Sequence, residues 1–244
     1  MEILYLISGI IFCELITYSS KYTFALNQKY LRSFPPNFLM QIYFGICALI
    51  LMALFEYTLV IKISLMDLLK ISCQSFLLFS ISALIVNTII NCIRKKNEND
   101  NLDDSSQNNN FIDENVNKKI FIFMVLFINP ITEELLYRGF LLNHILSLDY
   151  IIINSKVIII SLPILISGLY FGIVHRSLLK MGMDKYFVYK IVVKATIVGI
   201  ACGYFYIEYN SITAAIVAHF IANISENLSS SFFNSIFHLF AKKS

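Results

Sequence analysis

The chain has 244 residues, of which 57% are hydrophobic and 14% charged, and its mean hydropathy is +0.70. Soluble domains carry roughly 25% charged and about 45–50% apolar residues, so the composition excludes an ordinary water-soluble fold and predicts an integral membrane protein. The net charge of +3 gains meaning only when mapped onto loops, and no nucleic-acid partner is expected.

A membrane-spanning helix needs about 20 mostly apolar residues. Seven candidate segments run over residues 3–20, 38–60, 71–93, 120–146, 157–178, 188–208 and 211–226, with a further apolar stretch near 231–240. The expected fold class is all-α: a polytopic membrane helical bundle of about seven transmembrane helices, or eight if the last stretch also enters the bilayer. The first segment has no basic region ahead of it, because the chain opens Met1-Glu2. It therefore reads as a retained span rather than a cleaved signal peptide. The stretch 94–119, polar and nearly free of aromatics, cannot bury enough surface to fold alone and reads as a solvated tether. It separates an N-terminal three-helix part (1–93) from a C-terminal membrane part (120–244).

Seven spans put Lys21, Lys29, Arg32, Arg94, Lys95, Lys96, Lys118, Lys119, Arg176, Lys180, Lys185, Lys190, Lys242 and Lys243 on one side, and Lys62, Lys70 and Lys156 on the other. The crowded side is cytoplasmic by the positive-inside rule, which predicts an N-terminus outside and a C-terminus inside. In a bacterium the membrane would be the plasma membrane. The five cysteines (Cys13, Cys47, Cys73, Cys92 and Cys202) include no Cys-x-x-Cys pair and read as small apolar packing residues.

The fourth segment carries Thr132-Glu133-Glu134-Leu135-Leu136-Tyr137-Arg138. Charges within a span cost a few kcal/mol each near the helix centre and generally face a bundle interior or a wet cavity. Glu134 and Arg138 are four apart with the acid first, the favourable order for an ion pair on one helix face. Glu133 points about 100° away around the helix and lacks that partner, so the two carboxylates have unequal environments. That is the usual route to one structural acid and one working base, although a buried ion pair beside a spare water-facing glutamate would read the same way. Asn129-Pro130 reads as a cap with a first-turn proline, where the helix is expected to break or restart.

The fifth segment ends with Phe171 and His175 four apart, and the seventh carries His219 and Asn223 four apart in mid-span. Taken singly, these polar residues could equally be interhelical packing contacts. His144 and His238 lie near segment ends and read as interfacial. Small-residue tracks at Gly168/Gly172, Gly199/Gly203 and Ala214/Ala218/Ala222 would let the last three helices approach closely.

Pro130-x-x-Glu133-Glu134-x-x-x-Arg138-Gly139, then Phe171-x-x-x-His175, then His219-x-x-x-Asn223 together resemble the three signature motifs of the CPBP intramembrane proteases. That family includes the type II CAAX prenyl endopeptidases and lysostaphin-resistance-protein-A-like members. The resemblance spans about Ile120 to Glu226, and the three N-terminal spans have no part in it. It implies that Glu133 and His175 activate a water, that His219 and Asn223 stabilise the oxyanion, and that Glu134, Arg138 and Phe171 support them.

The chemistry is consistent: amide hydrolysis needs a base for water, donors for the oxyanion and an acid for the leaving amine. The expected function is therefore an intramembrane endopeptidase acting on a membrane-associated or lipidated, CAAX-like peptide, with membrane lipid as its surroundings. A metal-free, glutamate-dependent reaction is favoured. Zinc held by Glu133, His175 and His219 is the alternative cofactor, though no His-Glu-x-x-His occurs. The alternative function is a non-catalytic scaffold or bacteriocin-immunity-type protein that binds a partner in the same polar cavity.

Overall fold

The computed structural model describes residues 2–98, 116–147, 156–157, 160–180 and 182–241. Most of the tether, residues 99–115, lies outside the described residues, as does the side chain of His238. The described residues form eight helices: α1 (Glu2–Tyr30), α2 (Phe38–Leu54), α3 (Leu65–Glu98), α4 (Lys118–Leu146), α5 (Leu162–Val174), α6 (Ser177–Lys180), α7 (Lys185–Glu208) and α8 (Ile212–Ala241). A two-residue antiparallel pair, β1 (Lys156–Val157) with β2 (Ile160–Ser161), precedes α5.

The molecule is a helical membrane bundle, as its composition requires. The stretches Leu65–Arg94, Lys118–Leu146, Leu162–Leu179 and Lys185–Glu208 are long and apolar enough to cross a bilayer, and Phe38–Leu54 and Ile212–Glu226 are shorter apolar helices. Along α1, Leu4, Ile7, Ile11, Leu15, Tyr18 and Tyr22 are all exposed. Their spacing of three to four residues makes one continuous apolar face, which a water-soluble surface rarely presents and which suits lipid.

α4 lies at the centre, packed by α1, α2, α5 and α8, while α7 packs against α3, α5 and α8. One apolar cluster joins α1, α2, α4 and α5 through residues such as Ile16, Phe44, Met52, Phe140 and Phe171. A second joins α3, α4, α7 and α8 through Ile71, Leu142, Phe205, Ala214 and Ala218. The small-residue tracks allow the closest contacts: a Cβ on Gly168 would meet the Ile200 backbone N at 2.7 Å, and one on Gly172 would meet the Thr196 hydroxyl.

Four features differ from the sequence expectation. The second segment ends at Leu54, not near residue 60, because the chain turns through Glu56 in the left-handed region (φ 59°). The freed residues 55–64 then reach across the bundle, where the Ile212 N–H donates to the Val60 carbonyl at 2.9 Å and the Thr213 hydroxyl to the Ile61 carbonyl at 2.8 Å. The stretch 231–240 is the continuation of α8 rather than a separate piece.

The third difference is that α4 does not break at Pro130. The helix starts at Asn117, whose side chain accepts from the Lys119 and Ile120 N–H groups. It widens into π-helical turns over Met124–Ile128 and Leu135–Leu142. Asn129 is helical (φ −58°, ψ −51°) and is not a cap. The π turn immediately before Pro130 absorbs the missing donor, so the chain continues.

The fourth concerns His144, which is fully buried rather than interfacial. Its Nδ1 accepts from the Tyr57 hydroxyl at 2.9 Å, and its Nε2 donates to the Tyr5 carbonyl at 3.0 Å. Its ring stacks on Tyr5 with centroids 4.0 Å apart. These partners come from α1 and the 55–64 segment, so spacing along α4 could not reveal them.

Candidate active site

Glu133 and Glu134 leave α4 in different directions, and their surroundings differ accordingly. Glu134 and Arg138 are entirely buried, with Arg138 Nη1 donating to Glu134 Oε1 at 3.0 Å. The guanidinium also donates from Nη2 to the Gly199 carbonyl at 2.6 Å, which ties α4 to α7. It lies over the Phe171 ring, 5.1 Å from the centroid, so an aromatic face shares its charge. Glu133 is instead 14% exposed in its side chain, and its Oε1 accepts from Gln41 Nε2 at 2.9 Å. The Gln41 amide is oriented by the Thr132 hydroxyl, which donates to its Oε1 at 2.6 Å.

His219 spans the two carboxylates. Its Nδ1 donates to Glu134 Oε1 at 2.7 Å, and its Nε2 lies 3.8 Å from Glu133 Oε2. A carboxylate accepts, so Nδ1 carries a proton. His175 caps α5, and its Nδ1 lies 2.9 Å from the Phe171 carbonyl. A carbonyl also accepts, so that Nδ1 is protonated too and Nε2 holds the lone pair. Phe171 contacts both rings edge-on, with centroids 5.2 Å from His175 and 5.7 Å from His219. It thereby spaces the two imidazoles.

Asn223 lies one turn beyond His219 on α8. The π turn of α4 sends the Asn129 N–H to the Met124 carbonyl, and the next residue, Pro130, has no N–H to offer. The Val125 carbonyl instead accepts from Asn223 Nδ2 at 2.8 Å. The proline of the first motif thus leaves a carbonyl that orients the amide of the third.

A cavity of about 160 Å³ is lined by Glu133, His175, His219 and Asn223, together with Val125, Asn129, Phe171 and, from α7, Ile191, Lys194, Ala195 and Val198. Glu226 completes the wall, and its carboxylate pairs with Lys194 Nζ at 2.8 Å. All four residues singled out from the motifs therefore face one space, while Glu134 and Arg138 lie behind it. Reading the motifs alone missed Gln41, Lys194 and Glu226. Gln41 and Lys194 were legible as polar residues within apolar segments, the same signal that marks Glu133.

Metal-ligating atoms of Glu134, Cys202 and His219 lie within 4.8 Å of one another. This trio does not fit a metal ion. Glu134 Oε1 is already shared by Arg138 and His219, so a divalent cation would sit against a permanent guanidinium charge. In the Glu133, His175 and His219 set the donor types do suit zinc, because both imidazoles hold their Nδ1 protons in hydrogen bonds.

Residues 115–225 match the family model described as type II CAAX prenyl endopeptidase Rce1-like. The match bears out the resemblance drawn from the three motifs and covers the helices that carry them. No curated protein and no solved structure gives a match to the chain.

Proposed function

With residues 115–225 matching the type II CAAX prenyl endopeptidase family, we propose that this integral membrane protein is an intramembrane endopeptidase. It hydrolyses a peptide bond in a membrane-associated or lipidated, CAAX-like substrate, using a water activated by Glu133 and His175. The observation that carries this reading is the shared cavity of Glu133, His175, His219 and Asn223.

In this reaction a water enters between Glu133 and His175. Glu133 Oε2 takes its proton as the oxygen attacks the scissile carbonyl; Oε1 is held by Gln41, so the carboxylate keeps its orientation. The oxyanion that forms accepts from His219 Nε2–H and from the Asn223 amide. His219 donates its Nδ1–H to Glu134 in a hydrogen bond, and in the reaction it carries a second proton, on Nε2, towards the oxyanion. The Asn223 amide is oriented by the hydrogen bond from its Nδ2 to the Val125 carbonyl, beside the place where the oxyanion forms. The proton held by Glu133 then passes through His175 Nε2 to the leaving amine. Preorganised donors of this kind are each worth about 10²–10³ in rate.

Zinc, if bound, would be held by Glu133, His175 and His219 and would polarise the carbonyl and acidify water. We favour the metal-free reaction, since no His-Glu-x-x-His occurs and an asparagine one turn from His219 suits an oxyanion donor. The lysine and arginine distribution supports an N-terminus outside and a C-terminus in the cytoplasm, with the Lys194–Glu226 end of the cavity on the cytoplasmic side.

The test uses the full-length protein in detergent or nanodiscs with an internally quenched peptide carrying a prenylated cysteine. Glu133→Gln is expected to abolish cleavage while retaining the thermal stability of the wild type; undiminished cleavage by that variant overturns the assignment. Cleavage insensitive to 1,10-phenanthroline supports the glutamate reaction, and its loss with recovery on added zinc supports the metal.

A further inference from the structure

Helix α3 lies outside the family match of residues 115–225, and the reaction above makes no use of it. One face of it packs against α7 and α8, with Ile71 and Phe79 buried in the second apolar cluster. The opposite face carries Gln74, Leu77, Ile81, Leu84, Thr88 and Asn91, every one of them exposed. These six residues recur at alternating steps of three and four. That alternation keeps a seam in line along two helices wound left-handedly around each other.

Two of the six do not suit lipid. At 1.5 Å per residue α3 runs about 36 Å from Lys70 to Arg94, longer than a hydrocarbon core of about 30 Å. Gln74 and Asn91 lie about 12 Å and 14 Å on either side of the midpoint of that stretch, so both fall inside the core. Side chains lean towards the N-terminus of their helix, which carries the Asn91 amide further in, towards the middle of the bilayer. The Thr88 hydroxyl is satisfied by the Leu84 carbonyl at 2.9 Å. Neither amide has a side-chain hydrogen bond among the described residues, and lipid tails offer none.

Self-complementarity decides what covers this face. Copies of one chain insert the same way up, so a twofold along the bilayer normal brings each seam residue opposite itself. An amide both donates and accepts. Gln74 therefore bonds to Gln74 and Asn91 to Asn91, while Leu77, Ile81 and Leu84 pack apolar against apolar between them. The outward face of α1 fails the same test, because Glu14 is exposed on it and two carboxylates would meet away from water. At the outer end of the α3 seam Asp67 and Lys70 lie 3.6 Å apart, one charge of each sign, which the twofold can pair crosswise.

We propose that the protein forms a parallel homodimer in the membrane, joined along this seam of α3 with Gln74 and Asn91 as its polar locks. The assignment is independent of the hydrolase reading and is measured without turnover.

The experiment mixes full-length protein carrying a donor or an acceptor dye on a C-terminal tag in phosphatidylcholine liposomes, and follows energy transfer as lipid is added. Transfer is expected to persist to a defined lipid-to-protein ratio. Gln74→Leu/Asn91→Leu should lower that ratio by about tenfold, through the loss of two layers of interhelical hydrogen bonds. Its thermal stability as a monomer should stay that of the wild type, since both positions face away from the bundle. A second measurement uses Cys73→Ser/Cys92→Ser protein, which lacks the two exposed cysteines. In it Ile81→Cys should form an interchain disulfide under copper phenanthroline. Ile89→Cys, similarly exposed but about 80° round the helix, should not. A protein that stays monomeric at every dilution overturns the proposal. So does a dimer that the amide variant leaves unchanged, or equal cross-linking from the two cysteine positions.

Discussion

Replacing Arg138 with methionine separates two estimates of what holds the site together. Interhelical hydrogen bonds in membrane proteins average about 0.6 kcal/mol. Removing one partner of a buried ion pair costs about 3–5 kcal/mol, because the other charge is left uncompensated. The structure selects the second figure. Both side chains are fully excluded from solvent, and Glu134 would keep His219 as its remaining partner on Oε1. The Gly199 carbonyl would also lose its 2.6 Å donor, adding roughly 1 kcal/mol or more for an unsatisfied buried acceptor. The expected loss is about 4–6 kcal/mol, or roughly 10–20 °C in Tm at about 2–4 °C per kcal/mol for a chain of this size. The chain has no tryptophan, so unfolding in detergent is best followed with a thiol-reactive fluorogenic dye. Cys13 and Cys202 are buried and report unfolding, while exposed Cys73 and Cys92 set the baseline. The double variant Arg138→Met/Glu134→Gln, which removes both charges and keeps an acceptor for His219, should recover most of the lost Tm. A single-variant drop of less than about 3 °C, or a double variant no better than the single, refutes the ion-pair account.

Gln41→Leu removes the donor that holds Glu133, and kcat/KM should fall roughly tenfold to hundredfold for one charge-assisted hydrogen bond; unchanged cleavage would detach α2 from the chemistry. Pro130→Ala supplies an N–H that competes with Asn223 for the Val125 carbonyl. Cleavage should slow about tenfold while far-UV circular dichroism keeps its helical signal, whereas a loss of helicity would point to folding instead. Gly172→Leu drives a side chain into Thr196 and the Val192 carbonyl, which a Cβ at this position would meet at 2.9 Å. It should lower Tm by about 5 °C or more through overpacking, and a variant as stable as the wild type would contradict the close α5–α7 approach.

The helical class, six of the seven apolar segments and the division of the acid pair were legible in the sequence because each follows from local rules. Apolar length marks a span, and a four-residue offset puts Glu134 beside Arg138 while turning Glu133 away. Three things were not legible. Gln41 meets Glu133 across 92 positions of sequence, and nothing in the periodicity of either helix encodes that pairing. His144 draws its partners from α1 and the 55–64 segment for the same reason. The behaviour at Pro130 was misread because proline ordinarily ends a helix. Here neighbouring helices satisfy the freed backbone groups, as membrane helices allow.

That last point explains why the first and third motifs belong together physically. An uninterrupted α-helical turn would pair the Val125 carbonyl with an N–H four residues on, leaving nothing for Asn223 to bind. The π turn shifts that pairing by one position, so the carbonyl comes to face residue 130, and proline there guarantees an empty acceptor. Asn223 commits its amide to that acceptor at 2.8 Å, which fixes the orientation of its side chain. A flexible amide on a membrane helix would find many partners. One held by a backbone carbonyl on the helix that carries Glu133 has its place fixed relative to that glutamate. Gln41 does the same for Glu133 from α2, and Phe171 for the two imidazoles from α5. Glu133, His175, His219 and Asn223 are thus each hydrogen-bonded to a neighbour on another helix or to the backbone, which is the preorganisation that the proposed reaction requires.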